Sequence, residues 1–323
     1  MSEATPKTTP ANPIFGPVPS RRLGMSLGVD VIPMKVCAYD CIYCEVGRTT
    51  KKTIVRAEYV PTLLIENALE QYFADHPAAH LDYVTFAGSG EPTLHAHLGA
   101  LIRKVKALTT TPVAVLTGGA LLADPQVRRE LSAADLVIPS LDAATQDVFA
   151  KVNRPVASLQ VAKVIEGIES FCREFQGETW LEILIVKGIN DHPAHVAELV
   201  AAVNKIQPTK IQLTTVVRPP GAGHAEPIDA ATLNEIAALF SGDVEVVAAM
   251  ARRDNPAYQE AKGEQIISML KIRPMTLDDL ASSTGMHRNE VLKYLDQLRL
   301  DHAVHEAEFD QQTYFTVDRL QKK

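Results

Sequence analysis

The sequence lacks long apolar runs and an excess of positive charge. No stretch approaches the roughly 20 apolar residues that a membrane-spanning helix needs. The start, "MSEATPKTTPANP", has no apolar segment behind a basic one and so does not indicate a signal peptide. A formal net charge of -7 does not favour sequence-blind binding to phosphate backbones. We therefore expect a soluble cytoplasmic protein without membrane contact. Residues 1–13 are expected to form a disordered Pro/Thr-rich tail.

Cysteine is also scarce, but most of it is gathered in one place. Three of the four cysteines, Cys37, Cys41 and Cys44, stand in "MKVCAYDCIYCEVG" with the spacing C-x3-C-x2-C. Cytoplasmic thiols stay reduced, so such a cluster indicates metal or redox chemistry more than disulfides. A zinc site would want four ligands, and Cys172 lies in a helical run where it is expected to be a small core residue.

An iron–sulfur cubane held by three cysteines would explain this count, because one iron would remain open to a small molecule. A partial zinc site and three buried structural cysteines are the alternatives that spacing alone leaves open.

Apolar runs alternate with amphipathic runs between about residues 26 and 250. Six β-branched segments, such as "LDYVTFAG" and "KIQLTTVV", are each followed by a segment with helical periodicity. Strands that are apolar throughout are typical of a parallel sheet covered on both faces. The pattern fits a partly closed barrel or a doubly wound open sheet, and both bind ligands at the carboxyl ends of their strands.

Glycine and polar residues follow the predicted strands where a ligand would bind. The candidates for cofactor contact are Gly88, Ser89, Gly90, Glu91, Thr117, Ser140, Asp142, Lys187 and Val217. Glycine lets backbone carbonyls approach a ligand, and Glu91 can pair with a positive charge or fix the turn. The competing interpretations are a helix cap for Asp142, a solvated charge for Lys187 and core packing for Val217.

The cysteine spacing, with Tyr43 before the last cysteine, resembles the signature of the radical S-adenosylmethionine (SAM) superfamily. "GSGEP" (88–92) looks like the glycine-rich methionine motif of that family, with Ser89 between the glycines. The resemblance implies an α/β fold, a partial (β/α)6 TIM-like barrel over residues 14–255. It implies a [4Fe-4S] cluster on Cys37, Cys41 and Cys44, SAM as second cofactor, and an electron donor such as flavodoxin or ferredoxin.

In that family the reduced cluster cleaves SAM to a 5′-deoxyadenosyl radical, which abstracts hydrogen from a substrate. The block "GPVPSRRLGMSLGVD" (16–30) with the cysteine loop resembles a subgroup related to wybutosine-tRNA synthesis enzymes. This likeness implies a tRNA base or a peptide or protein as substrate. Ser20, Arg21 and Arg22 are candidates for holding an anionic substrate group.

The pattern changes at residue 256. Residues 256–323 read helix, helix, a short turn at "STG", helix and two strands, the order of a small winged helix-turn-helix domain. His287, Arg288, Asn289 and Lys293 are predicted to point outward from its recognition helix, but acidic residues crowd the domain. We therefore expect RNA or a peptide to dock there. The alternative function is an iron–sulfur nucleic-acid-binding regulator without radical catalysis.

Overall fold

The computed structural model describes residues 12–20, 22–77, 79–217, 224–247, 256–309 and 312–317. Residues 1–11 of the predicted tail and Arg21 lie outside this part of the chain.

The described strands, in chain order, are β1 (Ile14–Ser20), β2 (Gly24–Val29), β3 (Val36–Cys37), β4 (Lys51–Lys52), β5 (Tyr83–Phe86), β6 (Val113–Thr117), β7 (Leu136–Pro139), β8 (Glu178–Ile185), β9 (Lys210–Thr215), β10 (Val244–Val246), β11 (Met275–Thr276), β12 (His305–Phe309) and β13 (Gln312–Thr316). The described α-helices are α1 (Thr62–Asp75), α2 (Leu98–Leu108), α3 (Pro125–Leu131), α4 (Gln146–Val152), α5 (Val161–Glu174), α6 (Pro193–Ile206), α7 (Ala230–Ala237), α8 (Pro256–Ile272), α9 (Leu277–Thr284) and α10 (Arg288–Leu300). A 3-10 turn spans Pro92–Leu94.

The main sheet has eight strands in the order β1-β2-β5-β6-β7-β8-β9-β10. All neighbours pair in parallel except β1 and β2, which are antiparallel. This is a mixed α/β fold with a parallel sheet, as the alternating apolar and amphipathic runs predicted. The carboxyl ends of β2, β5, β6 and β7 consequently lie side by side at one edge.

Local chemistry explains where several helices begin. Helix α3 begins at Pro125, behind Asp124, whose carboxylate accepts a hydrogen bond from the Gln126 backbone N–H. Helix α9 has a complete capping box between Thr276 and Asp279 and ends at Thr284, followed by Gly285 with φ +67°. The helices cover a continuous core of fully buried strand residues such as Leu27, Phe86 and Val115.

Two strands of the main sheet and one helix were not foreseen. Strand β1 occupies part of the block that the sequence placed before the first strand, and its Pro17 and Pro19 fit an edge strand, where a missing N–H costs no ladder bond. Strand β10 adds a seventh strand in parallel register beside β9, so the sheet exceeds six parallel strands. Helix α4 stands between β7 and α5.

The residues from α8 onward build a second, smaller core. Helices α8, α9 and α10 pack with a three-stranded sheet in the order β11-β13-β12 around apolar residues that include Ile266, Leu280 and Leu295. Helix α10 also packs against β1 of the main sheet. No helix among the described residues is long and apolar enough to cross a membrane.

Candidate functional site

A cavity of about 240 Å³ opens at the carboxyl ends of the parallel strands. Its wall contains the three clustered cysteines together with residues that follow β5, β6 and β7. From the predicted set it includes Cys37, Cys41, Cys44, Gly88, Ser89, Gly90, Glu91, Thr117 and Ser140. Residues that are far apart in the sequence therefore share one site, because parallel strands end at the same edge.

Each of the three sulfurs accepts its own N–H hydrogen bond. The Tyr39 backbone N–H donates to Cys37 Sγ at 3.4 Å, and Asn153 Nδ2 donates to Cys41 Sγ at 3.5 Å. The Lys35 ammonium lies 3.0 Å from Cys44 Sγ, and Lys35 is only 4% exposed. Such donors stabilise negative charge on sulfur, which is what thiolate ligands of a metal carry.

Burial opposes ionisation of the Cys37 and Cys41 thiols. It raises the pKa of Cys37 to about 12, with the charge of Glu91 adding to the effect. Burial also raises the pKa of Cys41 well above its usual value, and the charge of Asp142 adds to it. Burial lowers the pKa of Lys35, but the charges of Cys44 and Cys37 outweigh it, so the net shift is upward. Metal binding at these cysteines must therefore release protons.

The loop after β5 is held by Glu91, which is 3% exposed. Its carboxylate accepts hydrogen bonds from Thr93 N at 3.1 Å, Thr117 Oγ1 at 2.6 Å and Gly118 N at 2.8 Å. Glu91 thus ties the end of β5 to the end of β6. Of its two predicted roles, the structure shows the one that fixes the turn.

Gly90 allows this loop to lie directly on the cysteine loop. A Cβ at position 90 would stand 2.0 Å from the carbonyl oxygen of Val36 and 2.5 Å from Ile32 Cγ2. The Glu91 backbone N–H donates to the same Val36 oxygen at 3.1 Å. A residue with a side chain would separate the two loops at the point where they meet.

Asp142 lies behind the cavity wall. Its buried carboxylate accepts hydrogen bonds from the Tyr43 hydroxyl, Asn153 Nδ2 at 2.7 Å and Leu184 N at 2.9 Å. Burial raises the pKa of Asp142 to about 6, against the lowering effect of these hydrogen bonds. The carboxylate therefore orients Tyr43 and Asn153 and does not face the cavity as a ligand for ribose or methionine.

Two further candidates lie off the cavity wall. Lys187 comes two residues after β8, has a side chain 63% exposed and stands 3.8 Å from Glu226. Val217 comes two residues after β9 and is 36% exposed. Both side chains are exposed and neither belongs to the cavity wall.

Of the residues predicted to hold an anionic substrate group, Arg22 is paired within the protein. Arg22 forms an ion pair with Glu182 of β8, which gives its guanidinium a partner within the protein. Of the four residues predicted to point outward from the helix, His287 instead contacts Asp30 with a side chain 7% exposed, and the other three are partly buried: Arg288, Asn289 and Lys293. Arg288 pairs with Asp278 of the same domain. The start of α10 is covered because it packs on β1.

Sequence reasoning missed Lys35, Asn153 and Asp30. Asp30 directly follows β2, so the strand-end argument could have found it, and Lys35 is two residues from a cysteine. Asn153 comes from the end of α4, and no local pattern marks it. Its Oδ1 and the Tyr39 hydroxyl are buried atoms of the cavity wall with no partner among the described residues.

A family model described as the radical SAM superfamily matches residues 31–200, and the chain belongs to this superfamily. The matched segment contains the three cysteines and the loop after β5. Membership implies a [4Fe-4S] cluster and SAM as cofactors. The site fits both cofactors. Three thiols with N–H donors share the cavity wall with a glycine loop that admits a close backbone approach. Two buried polar atoms of the wall, Asn153 Oδ1 and the Tyr39 hydroxyl, have no partner among the described residues.

Curated relatives cover most of the chain. A protein of Brachyspira hyodysenteriae called GTPase Obg is 36% identical over 88% of this chain, which spans only 42% of that longer protein. A UPF0026 protein of Methanocaldococcus jannaschii is 31% identical over 87% of this chain and 85% of its own length. The dual-specificity RNA methyltransferase RlmN of Nitratidesulfovibrio vulgaris is 28% identical over 63% of this chain and 56% of its own length.

Among solved structures, a radical SAM methyltransferase from Sphaerobacter thermophilus has the same fold. It aligns with 68% of this chain and 65% of its own, with a TM-score of 0.52 and 16% sequence identity. At that identity the likeness concerns the fold alone.

Proposed function

We propose that this protein cleaves SAM reductively and uses the resulting 5′-deoxyadenosyl radical to abstract hydrogen from an RNA base. The observation that carries this proposal is the shared cavity wall of Cys37, Cys41, Cys44 and the loop 88–91. The three thiols would hold a cluster that would supply the electron for the cleavage and bind the methionine group of SAM.

The residues of the chain bind, orient and shield. The three cysteines hold the cluster, and their N–H donors support its negative charge. The glycines of the loop 88–91 let backbone carbonyls face the SAM ammonium group, while Glu91 fixes the turn. Thr117 and Ser140 line the same cavity at the ends of β6 and β7, which supports a role for them in binding the rest of the SAM molecule.

RNA is the substrate class that we favour over a peptide. Exposed Arg48, Lys51, Lys52 and Arg154 lie close in the chain to Val46 and Asn153 of the cavity wall, although the net charge of the protein is -7. Lys52 Nζ donates to the Arg154 carbonyl at 3.0 Å, which joins two of these segments. A local basic patch of this kind suits a phosphate backbone. The RNA methyltransferase relative supports the same class.

The proposal also includes three finer assignments. They are kinship to wybutosine-related enzymes, a winged helix-turn-helix identity for residues 256–323, and reduction by a flavodoxin or ferredoxin. An iron–sulfur regulator is less well supported, since such a sensor needs no loop for a methionine group. The start of α10, which would enter a DNA groove in that reading, packs on β1.

The test is cofactor cleavage with labelled substrate under anaerobic conditions. Reconstituted protein receives SAM, dithionite and either deuterated RNA or a deuterated peptide mixture, and 5′-deoxyadenosine is analysed by mass spectrometry. We expect 5′-deoxyadenosine to form and to carry deuterium from RNA. Deuterium from the peptide alone would overturn the RNA assignment. A cluster-loaded protein that produces no 5′-deoxyadenosine would overturn the enzymatic proposal in favour of the regulator.

A further inference from the structure

A histidine from the smaller domain reaches the SAM-binding side of the larger one. His287 stands immediately before α10, and its side chain is 7% exposed. Its ring stacks on Phe15 of β1, with centroids 4.6 Å apart and an interplanar angle of 16°. Gly28 of β2 leaves the room for Phe15, since a Cβ there would lie 2.1 Å from the ring. The ring is therefore held in one place from both domains.

The hydrogen-bond partners of His287 define its tautomer. Nδ1 accepts a hydrogen bond from the Asn289 backbone N–H at 3.2 Å and so caps α10. A nitrogen that accepts carries no proton, so in the neutral ring Nε2 carries it. Nε2 lies 3.0 Å from Asp30 Oδ2. His287 accordingly donates to the Asp30 carboxylate, and this contact does not require a positive charge on the ring.

Asp30 connects this histidine to the loop that lines the cavity. Its carboxylate, in a residue 1% exposed, accepts hydrogen bonds from Ser89 N at 3.0 Å and Ser89 Oγ at 2.5 Å. Ile32 N donates to its other oxygen at 3.3 Å. A Cβ at Gly88 would stand 2.4 Å from Asp30 Cγ. Asp30 is thus in close contact with both Gly88 and Ser89, which are part of the cavity wall.

We propose that His287 is a positioning residue for SAM: it holds Asp30, and through Asp30 it holds the loop at Gly88 and Ser89. This inference rests on the function proposed above, because it assigns the loop to SAM binding. A buried carboxylate is stable only when donors satisfy it. Without His287, Asp30 loses the hydrogen bond from Nε2 and the imidazole ring that packs beside the carboxylate. The smaller domain consequently completes the SAM site.

A matched pair of variants separates this role from helix capping. In His287→Asn the short amide side chain can still cap α10 but does not reach Asp30, whereas in His287→Gln the longer amide can donate to Asp30 but loses the cap. SAM affinity is measured on the full-length, cluster-loaded protein by equilibrium dialysis with radiolabelled SAM. Arg288→Ala is the control, since Arg288 is the next residue and pairs within its own domain with Asp278.

We expect His287→Asn to raise the SAM dissociation constant about tenfold, or about 1.4 kcal/mol, and His287→Gln and Arg288→Ala to stay within about threefold of the wild type. In a Ser89→Ala background the effect of His287→Asn should shrink, because the residues act through one carboxylate. Unchanged affinity in His287→Asn, equal losses in both His287 variants, or additive effects with Ser89→Ala would overturn the inference.

The same experiment distinguishes the two proposals. Wild-type protein that binds SAM while His287→Asn binds it equally well removes the positioning role and leaves the proposed function standing. Wild-type protein that carries the cluster but binds no SAM removes both.

Discussion

At the residue scale, Lys35 brings a buried positive charge to the cysteines. Its ammonium lies 3.0 Å from Cys44 Sγ in a residue that is 4% exposed. Solvent screens a buried charge poorly. With a cluster bound at the cysteines, a positive charge here would stabilise its reduced, more negative state relative to the oxidised one, so we expect Lys35 to raise the reduction potential.

Lys35→Gln should lower the reduction potential of the cluster. Coulomb's law at an effective dielectric constant of about 20 gives a shift on the order of 100 mV. The measurement is a redox titration followed by electron paramagnetic resonance.

Lys52→Gln is the matched control for this charge removal. Lys52 is exposed and donates to the Arg154 carbonyl, so solvent screens its charge. A Lys35→Gln potential equal to that of wild type, or a shift no larger than that of the control, would contradict the assigned role.

At the scale of elements, the parallel strands and their order of appearance could be predicted from the sequence. Runs such as those in β6 and β7 are apolar because both of their faces are largely buried, and that pattern is local. Strand β1 could not be recognised, since its two prolines argue against a strand unless its edge position is known. Strand β10 has only three residues, too few for a period to show.

The site residues, like the strands, could be predicted from the sequence only in part. Residues directly at a strand end, such as Thr117 and Ser140, lie on the cavity wall. Lys187 and Val217 do not, and both side chains are exposed. Asn153 reaches Cys41 across 112 positions of sequence, and only the packed fold shows this contact.

Gly90→Ala tests the contact between the loop after β5 and the cysteine loop. The added methyl group would stand 2.0 Å from the Val36 carbonyl oxygen, and backbone on both sides limits relaxation. We expect a loss of about 1–3 kcal/mol in the free energy of unfolding and SAM affinity at least about tenfold weaker. Denaturant unfolding and equilibrium dialysis measure the two effects.

Gly188→Ala is the control for the stability cost alone. Gly188 has φ +71° with nothing within 4 Å of an added Cβ, so the change strains the backbone by about 1–2 kcal/mol without touching the cavity. Affinity should stay as in the wild type. Equal SAM affinity in the Gly90 and Gly188 variants would show that the loop contact does not shape the site.

At the scale of the whole molecule, two hydrophobic cores are joined along β1. Glu290 of α10 accepts a hydrogen bond from Gly16 N at 3.4 Å and pairs with Lys262 of α8, and His287 contacts Asp30. The local sequence pattern alone predicts an outward recognition surface on α10. The contact from His287 to Asp30 joins residues 257 positions apart, beyond the reach of any local periodicity. The smaller domain therefore contacts Asp30, the residue that holds Ser89 of the cavity wall.

The most direct test of the central claim is electron paramagnetic resonance of the reduced, anaerobically prepared protein with and without SAM, alongside metal analysis. The account predicts a [4Fe-4S] signal that changes when SAM is added, that is lost in Cys41→Ala and that persists in Cys172→Ala, since Cys172 packs against the main core. Zinc in place of iron, or an iron–sulfur signal indifferent to SAM, would contradict it.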